Sequence, residues 1–451
     1  MDKIIKNLEI IDITEEGKGV AKASGRVYFV ENASLGEVID AKITKEKKNF
    51  IEAIKKRTLK QSPYFVEPIC PYFENCDGCK TMNLNYEKEL ELKVQMVKDK
   101  LERIGKTKIE DIDISKCQNR KHFRNKIELK VNARGELGYY LSRSHSLVSI
   151  DKCIVAGENT NKLIPVIEEE IKKLGLKGYD RKSKSGEIKN ITIRENKLGE
   201  LQVTLTLSEL NKKVEKLFEK LMEVENIIEI HYSINKDPRS EIMKDTVLVH
   251  RKKEYQDSID NLQFKISPRS FFQTNSIMTG ELYKEAVRQM NLTGEEKLLD
   301  LYCGIGSTSL YFAKYAKEVI GVEVVKDAVD DAVLNAELNG IDNVKFILGK
   351  SEDKISKYLK DVDILVVDPP RKGLDKKVVE EVLKSNIEKI MYISCNPSTL
   401  ARDVGLFKEI GFKVGEVKLV DMFSNNLHVE SVVLMSRNKV KDCTKVRCKI
   451  H

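Results

Sequence analysis

From residue 296 onward the chain repeats one device: a short, nearly unbroken apolar run that stops at glycine, proline, cysteine or an acid. Glu296-Lys-Leu-Leu-Asp-Leu-Tyr302 runs into Cys303-Gly304-Ile-Gly306, and Glu318-Val-Ile-Gly-Val-Glu323 ends on a carboxylate. Val362-Asp-Ile-Leu-Val-Val367 ends on Asp368-Pro-Pro-Arg371, and Lys389-Ile-Met-Tyr-Ile393 on Ser394-Cys395-Asn396-Pro397. Runs this short and this aliphatic read as strands covered on both faces, which is the pattern of a parallel sheet. Alternation with helix-length stretches predicts an α/β, doubly wound, Rossmann-like domain over residues 266–438. In that architecture the carboxyl ends of the strands share one rim, and ligands bind there.

The rim carries chemistry. Gly304 and Gly306 let the backbone pass close to a ligand at a helix N-terminus. The third glycine of a dinucleotide loop is missing, with Ser309 in its place, which argues against a nicotinamide cofactor. Glu323 closes the next strand, where a carboxylate can hold both hydroxyls of a ribose. Two prolines behind Asp368 form a stiff lip that exposes the acid. A lone thiol after an apolar strand is ordinarily a small core residue; at this rim Cys395 is a candidate nucleophile instead. Further on, His428-Val-Glu430-Ser-Val-Val-Leu-Met435 reads as the last strand, and Glu430 at its start is either a solvated strand end or a general base for Cys395.

The N-terminal half reads differently. Residues 1–58 hold alternating segments, among them Asn7–Ile13, Arg26–Val30, Glu37–Ile43 and Phe50–Ile54, set apart by Gly17, Gly19, Gly25 and Gly36. Short strands at that spacing predict a small, five-stranded, OB-like β-barrel. Its basic stretches, Lys45–Asn49 and Lys55–Arg57, are solvated tips or RNA contacts. Residues 59–265 read as a central α+β domain, part of which (82–115) can pack on the C-terminal domain. There Lys121-His-Phe-Arg-Asn-Lys126 offers phosphate contact with base stacking, or simply an exposed strand start.

Within the central domain, Cys70, Cys76 and Cys79 lie close enough, with Pro71 and Gly78 bending the chain, to bring three thiolates to one metal. The fourth ligand must come from afar, with Cys153 first and Cys117 second. Four thiolates suit zinc or an iron–sulfur cluster, and spacing does not separate them. The start Met1-Asp-Lys-Ile-Ile-Lys6 has no signal-peptide apolar core and no run is long enough for a membrane span, so a cytoplasmic protein is expected. There the nine cysteines are metal-bound, catalytic or free. The net charge of +8 is compatible with a nucleic-acid partner.

Taken in order, the barrel-like start, the cysteine cluster, Ser270-Phe-Phe-Gln-Thr-Asn275, the Asp300–Gly306 loop, Asp368-Pro-Pro-Arg371, Ser394-Cys-Asn-Pro397 and His428-Val-Glu430 resemble the RNA uracil-5-methyltransferases over nearly the whole chain. The likeness is to the branch acting on 23S ribosomal RNA, with an RNA-binding TRAM domain at the front. The resemblance implies S-adenosylmethionine as methyl donor, held by Gln273, Tyr302, Gly304, Gly306, Glu323 and Asp368. It also implies Cys395 as nucleophile, Glu430 as base, and a [4Fe–4S] cluster on Cys70, Cys76, Cys79 and Cys153, with structural zinc as the alternative. A ribosomal RNA is the expected partner, with neither membrane nor obligate protein partner. A transfer RNA substrate, or an RNA-binding module with a dead methyltransferase fold, are the competing readings. The tail 439–451, with Cys443 and Cys448, is given no role.

Overall fold

The alternating segments near the N-terminus pair into one six-stranded sheet in a computed structural model that describes residues 3–141 and 146–437. Its order is Ile4–Glu9, Val38–Glu46, Phe50–Lys60, Arg26–Glu31, Gly19–Ala23, Asp12–Ile13. The two edge strands are consecutive in the chain, so the sheet curls until its edges approach, as in a small barrel. Leu8, Val30, Ile39 and Ile51 form its interior, each at most 2% exposed. Where the spacing predicts one strand over 7–13 and five in all, the chain makes two there and six in all. Asn7, at φ 53°, only makes a bulge within the first of them; the break comes where the chain changes partner, the Ile10 N–H donating to the Glu37 carbonyl and the Ile11 N–H to the Val20 carbonyl of the strand Gly19–Ala23. Part of the basic charge is used within the unit, Lys55 pairing with Glu37 at 3.1 Å and Arg57 with Asp40 at 2.8 Å. The tail with Cys443 and Cys448 lies outside the described residues.

A second sheet has seven strands, in the order Leu147–Ser149, Leu137–Tyr140, Lys126–Val131, Ile188–Glu195, Leu201–Leu207, Ile227–Ile234, Thr246–Arg251. Side chains alternate between its faces. Ile191, Ile193, Val203 and Leu205 pack with Ile167 and Leu217 of the helices Glu158–Leu174 and Lys212–Met222. Thr192, Arg194, Gln202 and Thr204 fall on the opposite face.

The third sheet holds the apolar runs, in the order Val344–Leu348, Glu318–Glu323, Lys297–Leu301, Ile364–Val367, Lys389–Ser394, Glu430–Ser436, Lys413–Val420, Asp113–Ser115. The first five are parallel, as predicted. Glu430–Ser436 is not: it runs antiparallel to both neighbours, making the sheet mixed. The eighth strand comes from far upstream and pairs parallel to Lys413–Val420. Alternation again divides the core. Leu298, Val366 and Met391 pack on one face, while Leu299, Val367 and Tyr392 pack on the other, where Val97 and Leu101 of helix Tyr86–Arg103 join them. Among the described residues no helix is long and apolar enough to cross a membrane.

Candidate active site

Register assembles the rim. Leu301 lies opposite both Val322 and Val367, and Val367 opposite Tyr392. Tyr302–Gly306, Glu323, Asp368 and Cys395 therefore emerge together at the carboxyl ends. Glu430 arrives by the opposite route. Its strand runs against Lys389–Ser394 with Ser431 paired to Ser394, so its first residue lies beside the residue that follows Ser394, Cys395. In an all-parallel sheet the start of that strand would sit on the far edge.

The turn after Leu301 is left-handed at Tyr302, Gly304 and Gly306, with φ of 69°, 56° and 82°. Above Gly304 there is open space, with nothing within 4 Å of an added Cβ, whereas at Gly306 the Phe346 ring would meet one at 2.7 Å. The first glycine thus opens a cradle and the second closes the packing beneath it. Glu323 is pinned to this loop: one carboxylate oxygen accepts the Gly304 N–H at 3.1 Å, the other the N–H groups of Val324 and Val325 at 2.8 Å each.

Beneath the loop lies Asp300, a further candidate that the motif spacing does not single out. One of its oxygens accepts the Thr308 and Ser309 hydroxyls at 2.6 Å, and the other is buried without a partner. Burial pushes its pKa up to about 6. The signal was an acid inside an otherwise aliphatic run. A cradle, an oriented carboxylate and an open buried acceptor fit a nucleoside-bearing ligand with a donor group. Gln273 is 7% exposed, just before helix Ser276–Met290, and its carbonyl accepts the Asn125 side chain at 3.0 Å. The Tyr302 phenol is pushed up to about 12 by burial.

At the other end of the rim Cys395 is half-buried. Burial, followed by the nearby Glu430 and Asp368 carboxyls, pushes its thiol up to about 12, against the pull of Arg371. Asp368 rises to about 7 through burial and the charge of Asp300. Glu430, 2% exposed with its Oε2 unpartnered, is pushed well above the carboxylate range by burial and by Asp368. Arg371 lies 3.2 Å from His428 Nε2, and the Asn396 side chain donates to the Arg371 carbonyl at 2.8 Å. One locale thus combines a thiol, a carboxyl that holds its proton at Glu430, a carboxyl that titrates near neutrality at Asp368, and the Arg371 cation beside them.

Cys70, Cys76, Cys79 and Cys153 line one cavity of about 190 Å³. Among the described residues, however, no three His, Cys, Asp or Glu side chains converge closely enough to hold a single metal ion. Cys79 is pushed up to about 12 by burial and by the other three cysteines, a cost that metal ligation of thiolates removes. The Gly78 N–H already points at Cys76 Sγ, at 3.4 Å. Cys117, the second candidate for fourth ligand, is ruled out by position. It is buried in the core of the third sheet, with its Sγ donating to the Asn119 carbonyl at 3.0 Å.

Residues 85–438 match the family model described as tRNA (uracil-5-)-methyltransferase. A relative from Clostridium tetani, described as an uncharacterized RNA methyltransferase, is 36% identical over 442 residues, covering 95% of this chain and 96% of its own. One from Caldanaerobacter subterraneus subsp. tengcongensis, with the same description, is 38% identical over 440 residues, covering 95% and 97%. Among solved structures, that of Pyrococcus abyssi tRNA (uracil-54, C5)-methyltransferase with S-adenosyl-L-homocysteine matches with a TM-score of 0.79 and 26% identity, over 95% of this chain and 99% of that one.

Proposed function

The chain belongs to the tRNA (uracil-5-)-methyltransferase family, and from that premise we propose that it moves the methyl group of S-adenosylmethionine to C5 of a uridine in 23S ribosomal RNA. The observation that carries this reading is the register that sets residue 430 beside residue 395 at the ligand rim. Uracil C5 is too weak a nucleophile to take a methyl group directly. The Cys395 thiol gives its proton to solvent, the thiolate adds to C6, and the electrons of the C5–C6 double bond become enolate-like. S-adenosylmethionine supplies an electrophilic methyl on a positively charged sulfur; C5 attacks that carbon, the methyl–sulfur bond breaks, and S-adenosylhomocysteine leaves with the electron pair. Glu430, once its own proton has passed to solvent, is a carboxylate made strongly basic by burial; it takes the C5 proton, the double bond reforms, and the sulfur–C6 bond breaks with its electron pair returning to Cys395. Glu323 takes the ribose hydroxyls, while Gln273, Tyr302, Gly304, Gly306 and Asp368 line the rest of the donor site.

Asp368 is half-protonated near pH 7 in the free protein. A cation bound beside it favours the ionised form, so donor binding is expected to release a proton below about pH 7 and to weaken by up to about tenfold per pH unit as pH falls further. S-adenosylhomocysteine, lacking the sulfonium charge, should respond less. Calorimetry in buffers of different ionisation enthalpy measures both effects. Donor affinity that is flat from about pH 5.5 to 8 would remove Asp368 from the site.

The choice of ribosomal RNA rests on a barrel-like unit, residues 1–58, kept together with the four cysteines. The rival substrate is a transfer RNA, favoured by the likeness to the Pyrococcus abyssi enzyme. Methylation of unmodified 23S and transfer RNA transcripts, with the product mapped as 5-methyluridine, is expected to label the 23S RNA alone. Label in transfer RNA alone would replace the substrate. Label in neither, from protein that still binds the donor, would leave an RNA-binding module.

The same reading makes Cys70, Cys76, Cys79 and Cys153 the ligands of a [4Fe–4S] cluster. That all four thiols line one cavity supports this ligand set, and thiolates suit an iron–sulfur cluster as they suit zinc. Methyl transfer consumes no electrons, so the cluster orders the chain or the RNA. Protein purified without oxygen is expected to be brown and to hold about four irons per chain; about one zinc and no iron would install structural zinc instead.

A further inference from the structure

One buried residue, Asn425, joins the cysteine loop to the segment that ends in Glu430. Its carbonyl accepts the N–H groups of Lys80 and Thr81, the residues directly after Cys79, at 2.9 and 3.1 Å. Its own N–H donates to Glu89 Oε1 at 2.9 Å. Its side chain engages Arg120 twice, accepting from the guanidinium at 2.9 Å and donating to the carbonyl at 3.2 Å. Next to it, the Asn426 side chain donates to the Gly78 carbonyl at 2.8 Å. Residues 78–81 and 425–426 are therefore tied by three hydrogen bonds across the fold.

The segment is held from behind as well. Lys93, Glu89 and Asp421 are wholly buried. The Lys93 ammonium donates to Asp421 at 2.6 Å, to Glu89 at 3.0 Å and to the Phe423 carbonyl at 3.3 Å. The Tyr86 hydroxyl donates to the second oxygen of Asp421 at 2.7 Å. Buried charges of this kind hold one geometry, because any displacement leaves a charge uncompensated. Asn425 itself sits at φ 70°. Downstream of this anchor come His428, in contact with Arg371, and then Glu430.

We propose that Asn425 is a positioning residue through which the cysteine centre sets Glu430 against Cys395. The role of Glu430 rests on the function argued above; the tie between the two loops does not. Coupling is reciprocal, so whatever loosens residues 425–426 must also loosen the cysteines. That reciprocity supplies a readout independent of methyl transfer.

In the full-length protein as purified, alkylation of each cysteine can be followed by mass spectrometry. Asn425→Ala removes the side-chain bonds and disfavours the left-handed backbone. It is expected to speed modification of Cys76 and Cys79 about tenfold. Asn425→Gly, at ease at positive φ, should recover most of the protection. Buried Cys303 reports whether the fold is intact. In parallel, kcat should fall in the alanine variant with the KM for S-adenosylmethionine unchanged, and recover in part in the glycine variant.

Unchanged alkylation of Cys76 and Cys79 in Asn425→Ala, with Cys303 still protected, would overturn the tie. Faster alkylation with kcat unchanged would overturn the positioning of Glu430. Where Cys303 becomes reactive, Asn426→Ala, which loses only the bond to Gly78, is read by the same outcomes. A parent protein that transfers no methyl group would sink the functional reading, and the alkylation rates would still decide the tie.

Discussion

With Cys395 replaced by alanine, methyl transfer is expected to fall by roughly 10⁴-fold or more, while S-adenosylmethionine binds as it does to the parent protein. Among the described residues no second solvent-accessible thiol stands at the rim to replace the sulfur. Cys303, the neighbouring thiol, is buried with its pKa driven up by the surrounding apolar packing, and Asp368 and Glu430 offer only carboxyl oxygens, far weaker nucleophiles toward C6 than a thiolate. Donor affinity is preserved because the cradle at Gly304 and Glu323 stands on different strands.

The same thiol sets a pH dependence. A pKa raised to about 12 leaves thiolate scarce at neutrality. Each unit of rising pH multiplies thiolate about tenfold, so kcat/KM should climb from pH 6.5 upward. The climb should be shallower than tenfold, since ionising the neighbouring carboxyls holds the thiol proton more tightly. Turnover by Cys395→Ala at even a tenth of the parent rate, in a steady-state assay, would end the covalent mechanism.

Glu430→Gln is expected to trap the reaction midway. The amide keeps the shape of the carboxyl but takes no proton from C5, so the methylated base stays bonded to Cys395 through C6. The product is a protein–RNA adduct that survives denaturation, approaches one per chain, and carries label from the methyl donor. The variant should not fail by unfolding. A carboxyl whose folded pKa is raised stabilises the fold most below its unfolded pKa, and that contribution is lost as pH rises through the folded value. Losing the ionisable group at pH 7–8 therefore removes a burden rather than a support, which a melting curve can check. An inactive Glu430→Gln that forms no adduct would take the base assignment away.

Much of the rim was legible before the fold. Aliphatic runs ending at Gly304, Glu323, Asp368 and Cys395 imply buried parallel strands, and parallel strands deliver their carboxyl ends to one edge whatever their lateral order. Asp300 was equally available in principle, as an acid inside such a run. Less legible was the N-terminal unit, where a change of partner between Ile10, bonded to Glu37, and Ile11, bonded to Val20, divides what alternation reads as a single strand.

The partner of Cys395 was of another kind. His428-Val-Glu430 looks the same whether its strand enters the sheet parallel or antiparallel, and only the antiparallel entry brings Glu430 to Cys395. The cysteines divide likewise. Cys70, Cys76 and Cys79 are neighbours by spacing, whereas Cys153 stands ahead of Cys117 on the family resemblance rather than on spacing; the fold lines their cavity with Cys153 and buries Cys117 in a different core. Asn425 has no local signature at all, since its partners Lys80, Thr81, Glu89 and Arg120 are far away along the chain.

The residues themselves determined which strands are buried, where each stops and what chemistry stands at its end, because those properties follow from a side chain and its near neighbours. The direction of the Glu430 strand, the meeting of Cys153 with the other three cysteines at one cavity and the tie at Asn425 were decided only by tertiary structure. They depend on the path of distant segments and on which backbone groups meet across the fold, and no window of sequence contains that information.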